Sequence, residues 1–597
     1  MCGILYKSSF YSKKDETLFI DALRTLKHRG PDEEGVLFTS SHMLGHERLS
    51  IVDLNGGHQP MSLINKHLIY NGELYNTIEL KEILEINDNI GDTNILLRLL
   101  DKEGMNSLSK LNGIYGFVFI DNDIVYAVRD PFGVKPVFYS IDNGDLIVSS
   151  EIKAILKLKG EAVVDSEGLK EILAMGPSHS IGKTIYKGIY ELPPGCYLKY
   201  DKNNYEIIQY YTIPTYKNNL SYNEAVNKTN ELLTNAIKNQ MISDVDIACF
   251  LSGGLDSSII STIVSKNKEK LDCYTIDYED NKKDFIPNEF EKSRDYDYAL
   301  KVSNSINANL HTALIDNETL INNLKRAVIC KDGPGMTDID SSMIYISEEI
   351  SKKYKVALSG ECADELFAGY SWFYSKEKEK KGFPWIRNLK DREVLLNPKW
   401  RKKLNLCEYA LNEYENAIKE APINELDNNF EKKHRQMTYL NIRYFMANLL
   451  DRKDRMTMGA VPPIEARVPF CDKNLVEFLY NLPFKYKYRY KTEKKLLRDA
   501  YKGIVIDDVI NRKKSPYPKS NSLVYEAKIK ELLLKTLEDK NSILYELFDI
   551  EKIMKLLNSK EELKTPWYGQ LMRKTSFFAY LYQIDYWYRK YNIRIEE

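Results

Sequence analysis

One mostly apolar run, followed by a glycine loop and a helical pattern, constrains the fold of this chain more than any other feature. Residues 245–251 have the length of a buried strand, Ser252-Gly253-Gly254-Leu255-Asp256-Ser257 follows, and residues 258–264 suit a helix. Backbone N–H groups at the start of such a helix favour phosphate oxygens. The unit therefore predicts phosphate binding, although a plain turn is the alternative because serine, glycine and aspartate favour turns.

A second unit of this kind follows further along the chain. A short apolar run at 355–358 leads into Ser359-Gly360-Glu361-Cys362-Ala363-Asp364-Glu365. Two such strand ends can converge on one ligand.

Ser221 and Glu224 form a capping-box pattern, which predicts that a new domain opens at this point of the chain with a helix. Helical patterns dominate from about residue 390 onward, including 493–501 and 529–537.

The N-terminal part reads as β-rich up to about residue 200. Helical patterns at 16–26 and 93–100 interrupt it, which predicts an α+β arrangement of sheets covered by helices. A chain of 597 residues is too long for one core. We therefore expect domains at 1–205 and 220–597, joined by a polar linker at 206–219. The predicted strands are 43–49, 67–70, 116–120, 124–129, 137–140 and 146–150.

Composition excludes two classes of partner. Lysine and arginine total 85 against 86 acidic residues, so no positive excess is available for binding nucleic acid. The sequence has no apolar run long enough to span a membrane. The N-terminus lacks the features of a secretory signal, which predicts a cytoplasmic protein.

The eight cysteines show no metal-ligand spacing, and reduced thiols are expected. Cys2 differs from the others because removal of the initiator methionine would give it a free α-amine as well as a thiol. An α-amine can serve as the base for such a nucleophile. Taken alone, a cysteine at position 2 is far more often an ordinary small apolar residue that starts a strand.

Five further segments follow Cys2 in a fixed order. No single segment identifies the domain, because a pair such as Asn71-Gly72 often forms a hairpin turn. Together they resemble class II glutamine amidotransferases, which implies an N-terminal-nucleophile (Ntn) hydrolase fold with layered β-sheets. The segments are His28-Arg29-Gly30-Pro31-Asp32, Arg48-Leu49-Ser50-Ile51-Val52-Asp53, Tyr70-Asn71-Gly72-Glu73-Leu74-Tyr75-Asn76, Gly91-Asp92-Thr93 and Arg129-Asp130-Pro131-Phe132-Gly133-Val134-Lys135-Pro136.

This resemblance implies roles for six residues. Cys2 would attack the side-chain amide of glutamine, form a glutamyl thioester and release ammonia. Asn71 and the backbone N–H of Gly72 match the oxyanion hole of the family. One arginine and two carboxylates suit the α-carboxylate and α-ammonium of free glutamine. These glutamine-binding residues are Arg48, Glu73 and Asp92.

The Ser359 segment, with Phe367-Ala368-Gly369-Tyr370 behind it, resembles the synthetase domain of asparagine synthetases. The resemblance implies an α/β ATP-pyrophosphatase domain with a parallel sheet and a largely helical C-terminal part. It implies ATP as co-substrate and Mg²⁺ held by Asp256 and Asp364, since this cation prefers carboxylate and phosphate oxygens. The implied ATP- and pyrophosphate-binding residues are Leu251, Ser252, Gly253, Gly254, Leu255, Asp256, Ser257, Ile276, Ser359 and Gly360.

Two further catalytic residues are carried over by motif position. Glu361 matches the family glutamate that interacts with incoming ammonia, and Lys494 matches a lysine that stabilises charge on the reacting phosphate. Lys491 and Lys495 crowd the same region, so a solvated helix lysine is the alternative for Lys494. Two charged family signatures, at 451–456 and 465–472, are interpreted as buried ion-pair networks and not as catalytic groups.

The implied reaction joins both halves: ammonia from glutamine amidates a carboxylate that ATP has adenylated. Aspartate is the expected acceptor, yet residues 331–342, where some family members carry an arginine for aspartate, contain none. The first alternative is therefore another carboxylate, such as a cell-wall peptide or a secondary-metabolite precursor. The second is a non-catalytic binding protein, which intact Cys2, Asp256 and Asp364 argue against. The resemblance also implies a homodimer.

The chain departs from the family pattern at five further positions. None of these departures removes a catalytic group. They are Gly91, Asn94, Cys362, Ala368 and Cys471.

Overall fold

The computed structural model describes residues 2–9, 12–202, 204–279, 281–285, 293–375, 381–520 and 522–597. Its strands are β1 Gly3–Ser8, β2 Glu33–Phe38, β3 His42–Arg48, β4 Met61–Leu63, β5 Lys66–Leu74, β6 Gly113–Asp121, β7 Ile124–Arg129, β8 Phe138–Asp142, β9 Asp145–Ser149, β10 Val163–Val164, β11 Tyr190–Glu191, β12 Cys196–Asp201, β13 Asn204–Gln209, β14 Ile247–Phe250, β15 Asp272–Tyr278, β16 Asn309–Ile315, β17 Val356–Leu358, β18 Glu465–Arg467 and β19 Arg594–Ile595.

The helices are α1 Lys13–Arg24, α2 Thr77–Leu84, α3 Asp92–Glu103, α4 Ile152–Lys159, α5 Ser166–Lys170, α6 Tyr222–Asn239, α7 Leu255–Ser265, α8 Asn281–Asp284, α9 Asp295–Ser305, α10 Asn317–Lys331, α11 Asp338–Ser351, α12 Ala363–Leu366, α13 Leu389–Val394, α14 Pro398–Leu404, α15 Leu406–Lys419, α16 Asn429–Leu440, α17 Ala447–Met458, α18 Lys473–Tyr480, α19 Phe484–Lys487, α20 Lys495–Ala500, α21 Asp507–Ile510, α22 Leu523–Glu538, α23 Ile543–Leu547, α24 Ile550–Asn558 and α25 Lys574–Lys590.

Two six-stranded antiparallel sheets face each other in the N-terminal region, which runs up to β13. Their strand orders are β11-β8-β9-β1-β3-β2 and β13-β12-β7-β6-β5-β4. Side chains alternate along β1: Ile4 and Tyr6 pack between the sheets, whereas Leu5 packs with Phe19 of α1 on the outer face. Helices α1 and α4 cover the first sheet, and α2 and α3 cover the second. The predicted layered α+β Ntn fold is confirmed.

A five-stranded, fully parallel sheet organises the C-terminal region, which begins at α6. Its order is β16-β15-β14-β17-β18. Because β14 comes first in the chain and lies in the middle, the direction of winding reverses between β14 and β17. Ligands bind outside the carboxyl ends of the strands at such a point. The loops after β14 and β17 are the ones that carry the two predicted motifs.

The structure contains each predicted N-terminal element and adds strands that were not predicted. In the N-terminal region these are β1, β2, β4, β10, β11, β12 and β13. Each predicted N-terminal strand and helix overlaps an observed one. Helix α6 opens with the capping box: the Glu224 N–H donates to Ser221 Oγ, and Glu224 Oε2 accepts the Ser221 N–H at 2.8 Å. Strand β13 enters the segment predicted as a linker, and its side chains are mostly exposed, so no apolar alternation marks it. In the part of the chain that the structure describes, no helix combines the length and apolar character that a membrane crossing requires.

Candidate active sites

The N-terminal site forms where β1 begins beside β5. Cys2 lies immediately before β1 and is only 8% exposed. Its backbone N–H donates to Asn71 Oδ1 at 2.9 Å, and its carbonyl accepts from Arg29 Nε at 3.0 Å. Asn71 Nδ2 is buried and has no hydrogen-bond partner within the described ranges. Asn71 thus holds Cys2 through its oxygen and keeps amide N–H groups available for a bound ligand.

Gly72 lies next to Asn71 in β5, in close contact with β6. A Cβ at this position would lie 2.2 Å from the carbonyl oxygen of Ile114 and 2.8 Å from the Cα of Tyr115. Such distances are not tolerated by any side chain. The residue must therefore be glycine for β5 and β6 to approach this closely.

The two predicted glutamine-binding carboxylates are both buried. Asp92 Oδ2 accepts from the Tyr70 hydroxyl at 3.0 Å and from the Leu74 N–H at 3.2 Å. Glu73 Oε1 lies 3.3 Å from Nη2 of Arg467, which belongs to β18 of the C-terminal region. Burial raises the pKa of both carboxyls, and Arg467 opposes that rise at Glu73.

Arg48 is held mainly by the loop that follows β3. Its Nη2 donates to the carbonyl of Asp53 at 2.7 Å, and its Nη1 donates to the carbonyl of Leu54 at 3.2 Å and to Glu33 Oε2 at 3.1 Å. Two of these three acceptors are backbone oxygens, so Glu33 is the one carboxylate among them that offsets the positive charge of Arg48. The guanidinium is therefore oriented and remains able to pair with an anionic ligand.

The Cys2 thiol needs help to become a nucleophile. Burial raises its pKa above the ordinary value. The thiolate is the reactive form, and a thiol with a raised pKa is protonated near neutral pH. Reaction at this site therefore requires a base close to the sulfur.

The loops after β14 and β17 meet at a cavity of about 210 Å³. The first loop is tied together at the start of α7: Ser252 and Ser257 hydroxyls lie 3.1 Å apart, and the Gly254 N–H donates to Ser252 Oγ at 3.3 Å. Gly253 and Leu255 belong to this loop but do not line the cavity. The predicted residues that line it are Leu251, Ser252, Gly254, Asp256, Ser257, Ile276, Ser359, Gly360, Glu361 and Asp364.

Two aspartates share one lysine at the edge of this cavity. Lys494 Nζ lies 2.6 Å from Asp256 Oδ2 and 2.6 Å from Asp364 Oδ1, and Lys514 Nζ lies 3.0 Å from Asp364 Oδ2. Against the effect of burial, the two lysines hold the pKa of Asp364 below its usual value, whereas burial raises the pKa of Asp256. Asp256 Oδ1 is buried and without a hydrogen-bond partner in the described part of the chain.

The structure distinguishes Lys494 from the neighbouring lysines. Lys491 is exposed, and Lys495 pairs with Asp499 at 2.5 Å. Lys494 is only 3% exposed and is the one beside the aspartates. A Cβ on Gly369 would lie 1.9 Å from Asp364 Oδ1. A glycine is therefore required where the side chains of Asp364 and Lys494 meet.

Glu361 is held between two groups inside the cavity. Its Oε1 lies 2.9 Å from Lys453 Nζ, and its Oε2 accepts from the Ser359 hydroxyl. Burial opposes ionisation, but Lys453 holds the pKa of Glu361 below its usual value. Lys453 Nζ also lies 3.8 Å from the ring centroid of Phe250 at the end of β14. The carboxylate is therefore ionised and fixed in place.

Four residues at or near the cavity are not predicted from the sequence: Lys453, Tyr370, Arg512 and Lys514. Lys453 lies within a signature that was interpreted as an ion-pair network. Tyr370 was noted only as part of a motif, and its hydroxyl donates to Glu365 Oε1 at 2.7 Å. Arg512 Nη1 donates to the carbonyl of Gly253 at 2.9 Å and so stabilises the loop that follows β14. The cations of Arg512-Lys513-Lys514-Ser515-Pro516 gave a weak signal, since a basic run in a loop is usually solvated.

The charged signature at 451–456 forms buried ion pairs, as predicted. Arg455 Nη1 lies 2.9 Å from Asp332 Oδ2, and Asp454 Oδ2 accepts from Arg29 Nη2 at 2.7 Å across the interface between the regions. The signature at 465–472 is also buried. Arg467 in this signature differs from the other charged residues of the two signatures, because it contacts Glu73, a predicted glutamine-binding residue.

Comparison with known proteins covers both regions. Residues 228–589 match the family described as asparagine synthase, and residues 1–211 match the glutamine amidotransferase domain. The chain is 40% identical to the glutamine-hydrolyzing asparagine synthetase 3 of Bacillus subtilis (strain 168), over 100% of both chains. It is 28% identical to the glutamine-hydrolyzing asparagine synthetase 1 of the same organism, over 87% of each chain. The chain therefore belongs to the asparagine synthase family.

Proposed function

We propose that this protein is a glutamine-dependent asparagine synthetase, an ATP-dependent ligase that takes its amide nitrogen from glutamine. Family membership and the full-length similarity to one such enzyme support this function. The observation that carries it is the presence, in one chain, of two arrangements. Cys2 lies beside the Asn71 amide, which has no hydrogen-bond partner for its Nδ2 among the described residues, and a cavity lies at the switch point of the parallel sheet. The first arrangement suits amide hydrolysis, and the second suits nucleotide chemistry.

In the N-terminal site, Cys2 is assigned as the nucleophile that attacks the side-chain amide of glutamine. After removal of the initiator methionine, its α-amine would accept the thiol proton and later pass it to the leaving ammonia. Asn71 Nδ2 and the Gly72 N–H would donate to the oxyanion of the tetrahedral intermediate. The resulting glutamyl thioester is hydrolysed to glutamate.

Substrate recognition in this site follows from charge. Arg48 is assigned to the α-carboxylate of glutamine, and Glu73 and Asp92 to its α-ammonium. The contacts of Arg48 with backbone carbonyls support this role, because they orient the guanidinium while only one carboxylate shares its charge.

In the cavity, the side-chain carboxylate of aspartate would attack the α-phosphorus of ATP. The loop from Ser252 to Ser257 at the start of α7 is assigned to the pyrophosphate, because its N–H groups and the helix dipole favour anions. Lys494 would stabilise negative charge on the reacting phosphate. Ammonia then displaces AMP from the acyl-adenylate, and the ionised Glu361 would take up the proton that the nitrogen loses.

Asp256 and Asp364 are assigned as the residues that hold Mg²⁺. Within the described ranges, no group of three or more His, Cys, Asp or Glu side chains is placed to hold a metal ion. Two carboxylates nevertheless fit Mg²⁺, which commonly uses one or two protein carboxylates with phosphate oxygens and water. Asp256 Oδ1, for which the described part of the chain provides no hydrogen-bond partner, supplies a buried anionic oxygen for it. When bound, the ion would neutralise charge on the phosphates.

The proposed reaction is tested by supplying glutamine, Mg-ATP and aspartate and measuring AMP, pyrophosphate and asparagine. We expect asparagine to appear in step with AMP, and neither product when aspartate is omitted. Glutamate release without AMP or asparagine would identify another carboxylate as the acceptor. That outcome would connect the absence of arginine from residues 331–342 with a different substrate.

Replacement of Asn71 by alanine is expected to lower kcat for glutamate release by about 10²–10³-fold, the usual effect of losing one oxyanion donor. The same change removes the acceptor for the Cys2 N–H. Asparagine synthesis from ammonium should continue at the wild-type rate, because the cavity in the C-terminal region is not altered. A wild-type rate of glutamate release in the variant would exclude Asn71 from the oxyanion hole.

The division into domains at 1–205 and 220–597 is part of this proposal. The observed sheet ends at Gln209, and the first helix of the C-terminal region begins at Tyr222. Cytoplasmic location and a homodimer remain predictions from the sequence and from the family resemblance.

A further inference from the structure

An arginine of the C-terminal region reaches into the glutamine site. Arg467 ends β18 and is fully buried. Its Nη2 lies 3.3 Å from Glu73 Oε1 across the interface between the two regions. On its own side, Nε donates to Glu465 Oε1 at 2.6 Å, and Nη1 donates to the carbonyl of Gln240 at 2.9 Å. The guanidinium is therefore fixed by the C-terminal region and presents one nitrogen to the N-terminal site.

The main chain of the same residue is hydrogen-bonded to the nucleotide loop, which is the loop at 359–362 that follows β17. The carbonyl of Arg467 accepts the N–H of Ser359 at 2.8 Å, and Arg467 pairs with Leu358 in the parallel register of β17 and β18. The Ser359 hydroxyl in turn donates to Glu361. A single residue thus contacts the loop that carries Glu361 and the carboxylate assigned to glutamine.

The contact with Glu73 has an electrostatic consequence. A buried carboxylate without a cationic partner takes up a proton, because burial disfavours its charged form. A neutral Glu73 would attract the α-ammonium of glutamine far less. A purely structural ion pair is the alternative, and its loss would lower stability without a selective effect on glutamine.

We propose that Arg467 is a positioning residue that couples the two active sites. Its side chain holds Glu73 for glutamine, and its main chain is hydrogen-bonded to the nucleotide loop. The inference rests on the proposed function, in which Glu73 binds glutamine. Coupling between two sites is reciprocal for binding free energies. Occupancy of the nucleotide cavity should therefore alter the affinity for glutamine.

The test measures glutamate release by the full-length enzyme at varied glutamine, with and without a non-hydrolysable ATP analogue and Mg²⁺. In the wild type, the analogue is expected to change the KM for glutamine by about fivefold or more, the usual size of a coupling between sites. In Arg467→Met, the KM for glutamine should rise about tenfold or more with kcat little changed, as when a charge pair at a binding site is lost. Arg467→Lys keeps the charge and should restore much of the affinity but little of the analogue effect.

Two further variants separate the possible outcomes. Arg443 also crosses the interface, donating to the carbonyl of Pro194, so Arg443→Met is the matched control and should retain the wild-type KM and analogue effect. Glu73→Gln should raise the KM for glutamine. Adding Arg467→Met to this variant should then change the KM for glutamine very little further. If Glu73→Gln leaves the KM unchanged, the assignment of Glu73 in the proposed function is wrong.

The coupling itself is overturned by either of two results. One is a glutamine KM that the analogue does not move in the wild type, which can be read even if both Arg467 variants fail to fold. The other is a wild-type KM in folded Arg467→Met while Glu73→Gln is impaired. Thermal unfolding and asparagine synthesis from ammonium report on the folding of each variant, so a loss of stability is not mistaken for a loss of coupling.

Discussion

Replacement of Cys2 by alanine is expected to abolish glutamate release from glutamine while asparagine synthesis from ammonium continues. Removing a nucleophile costs on the order of 10⁴-fold or more in kcat, because no other group can form the covalent intermediate. Alanine fills most of the space of the buried cysteine, so β1 should still form beside β3 and β9. The measurement compares glutamine and ammonium as nitrogen donors for the same preparation.

The matched control for this variant is Cys196→Ala. Cys196 is also buried in the N-terminal region, but it begins β12 and packs between the two sheets. Its loss removes a small apolar contact and should leave both activities near the wild-type level. Glutamine-dependent synthesis that persists in Cys2→Ala would contradict the assigned nucleophile, and loss of both activities would point to misfolding.

Strands β3, β5 to β9, β14 and β17 and the phosphate-binding loop were predictable because local patterns determine them. The mostly apolar run at 245–251 contains β14, and the loop from Ser252 starts α7. The mostly apolar run at 124–129 likewise matches β7 at its observed bounds. In contrast, β13 is a polar edge strand whose residues are mostly exposed. It is defined by pairing with β12, and no local pattern reveals that pairing.

Contacts between distant segments were not predictable. Lys494 could be chosen from its neighbours by motif position, but only the fold places its ammonium between Asp256 and Asp364. Lys514 and Lys453 come from segments far apart in sequence and meet the same cavity. A single sequence carries no information on such pairings, because each lysine alone resembles a solvated surface residue.

Contacts across the interface between the two regions were likewise not predictable from the sequence. The signature containing Arg467 reads as a buried ion-pair network, and the structure agrees that it is buried. Its partner Glu73 belongs to a motif in the other region. The resemblance gives each motif a role within its own domain, and the contact between them appears only when both domains are folded together.

Replacement of Asp364 by asparagine is expected to lower aspartate-dependent exchange of pyrophosphate into ATP by about 10³-fold, because a metal ion supplies several kcal/mol of charge stabilisation at the phosphates. Asparagine keeps the shape of the side chain and removes the charge. Asp256→Asn should act in the same direction, since both carboxylates are assigned to the ion and both lie 2.6 Å from the Lys494 ammonium. Glutamate release should be retained in both variants.

Asp499→Asn provides the matched control, because Asp499 pairs with Lys495 on α20 and lies outside the cavity. It should leave the exchange rate unchanged. Partial recovery of Asp364→Asn at raised Mg²⁺ would indicate weakened metal binding, since the remaining oxygen can still act as a ligand. Exchange that is unaffected in both Asp256→Asn and Asp364→Asn would contradict the metal assignment. The paired aspartates would then serve to hold Lys494 in place, as a buried ammonium requires a partner.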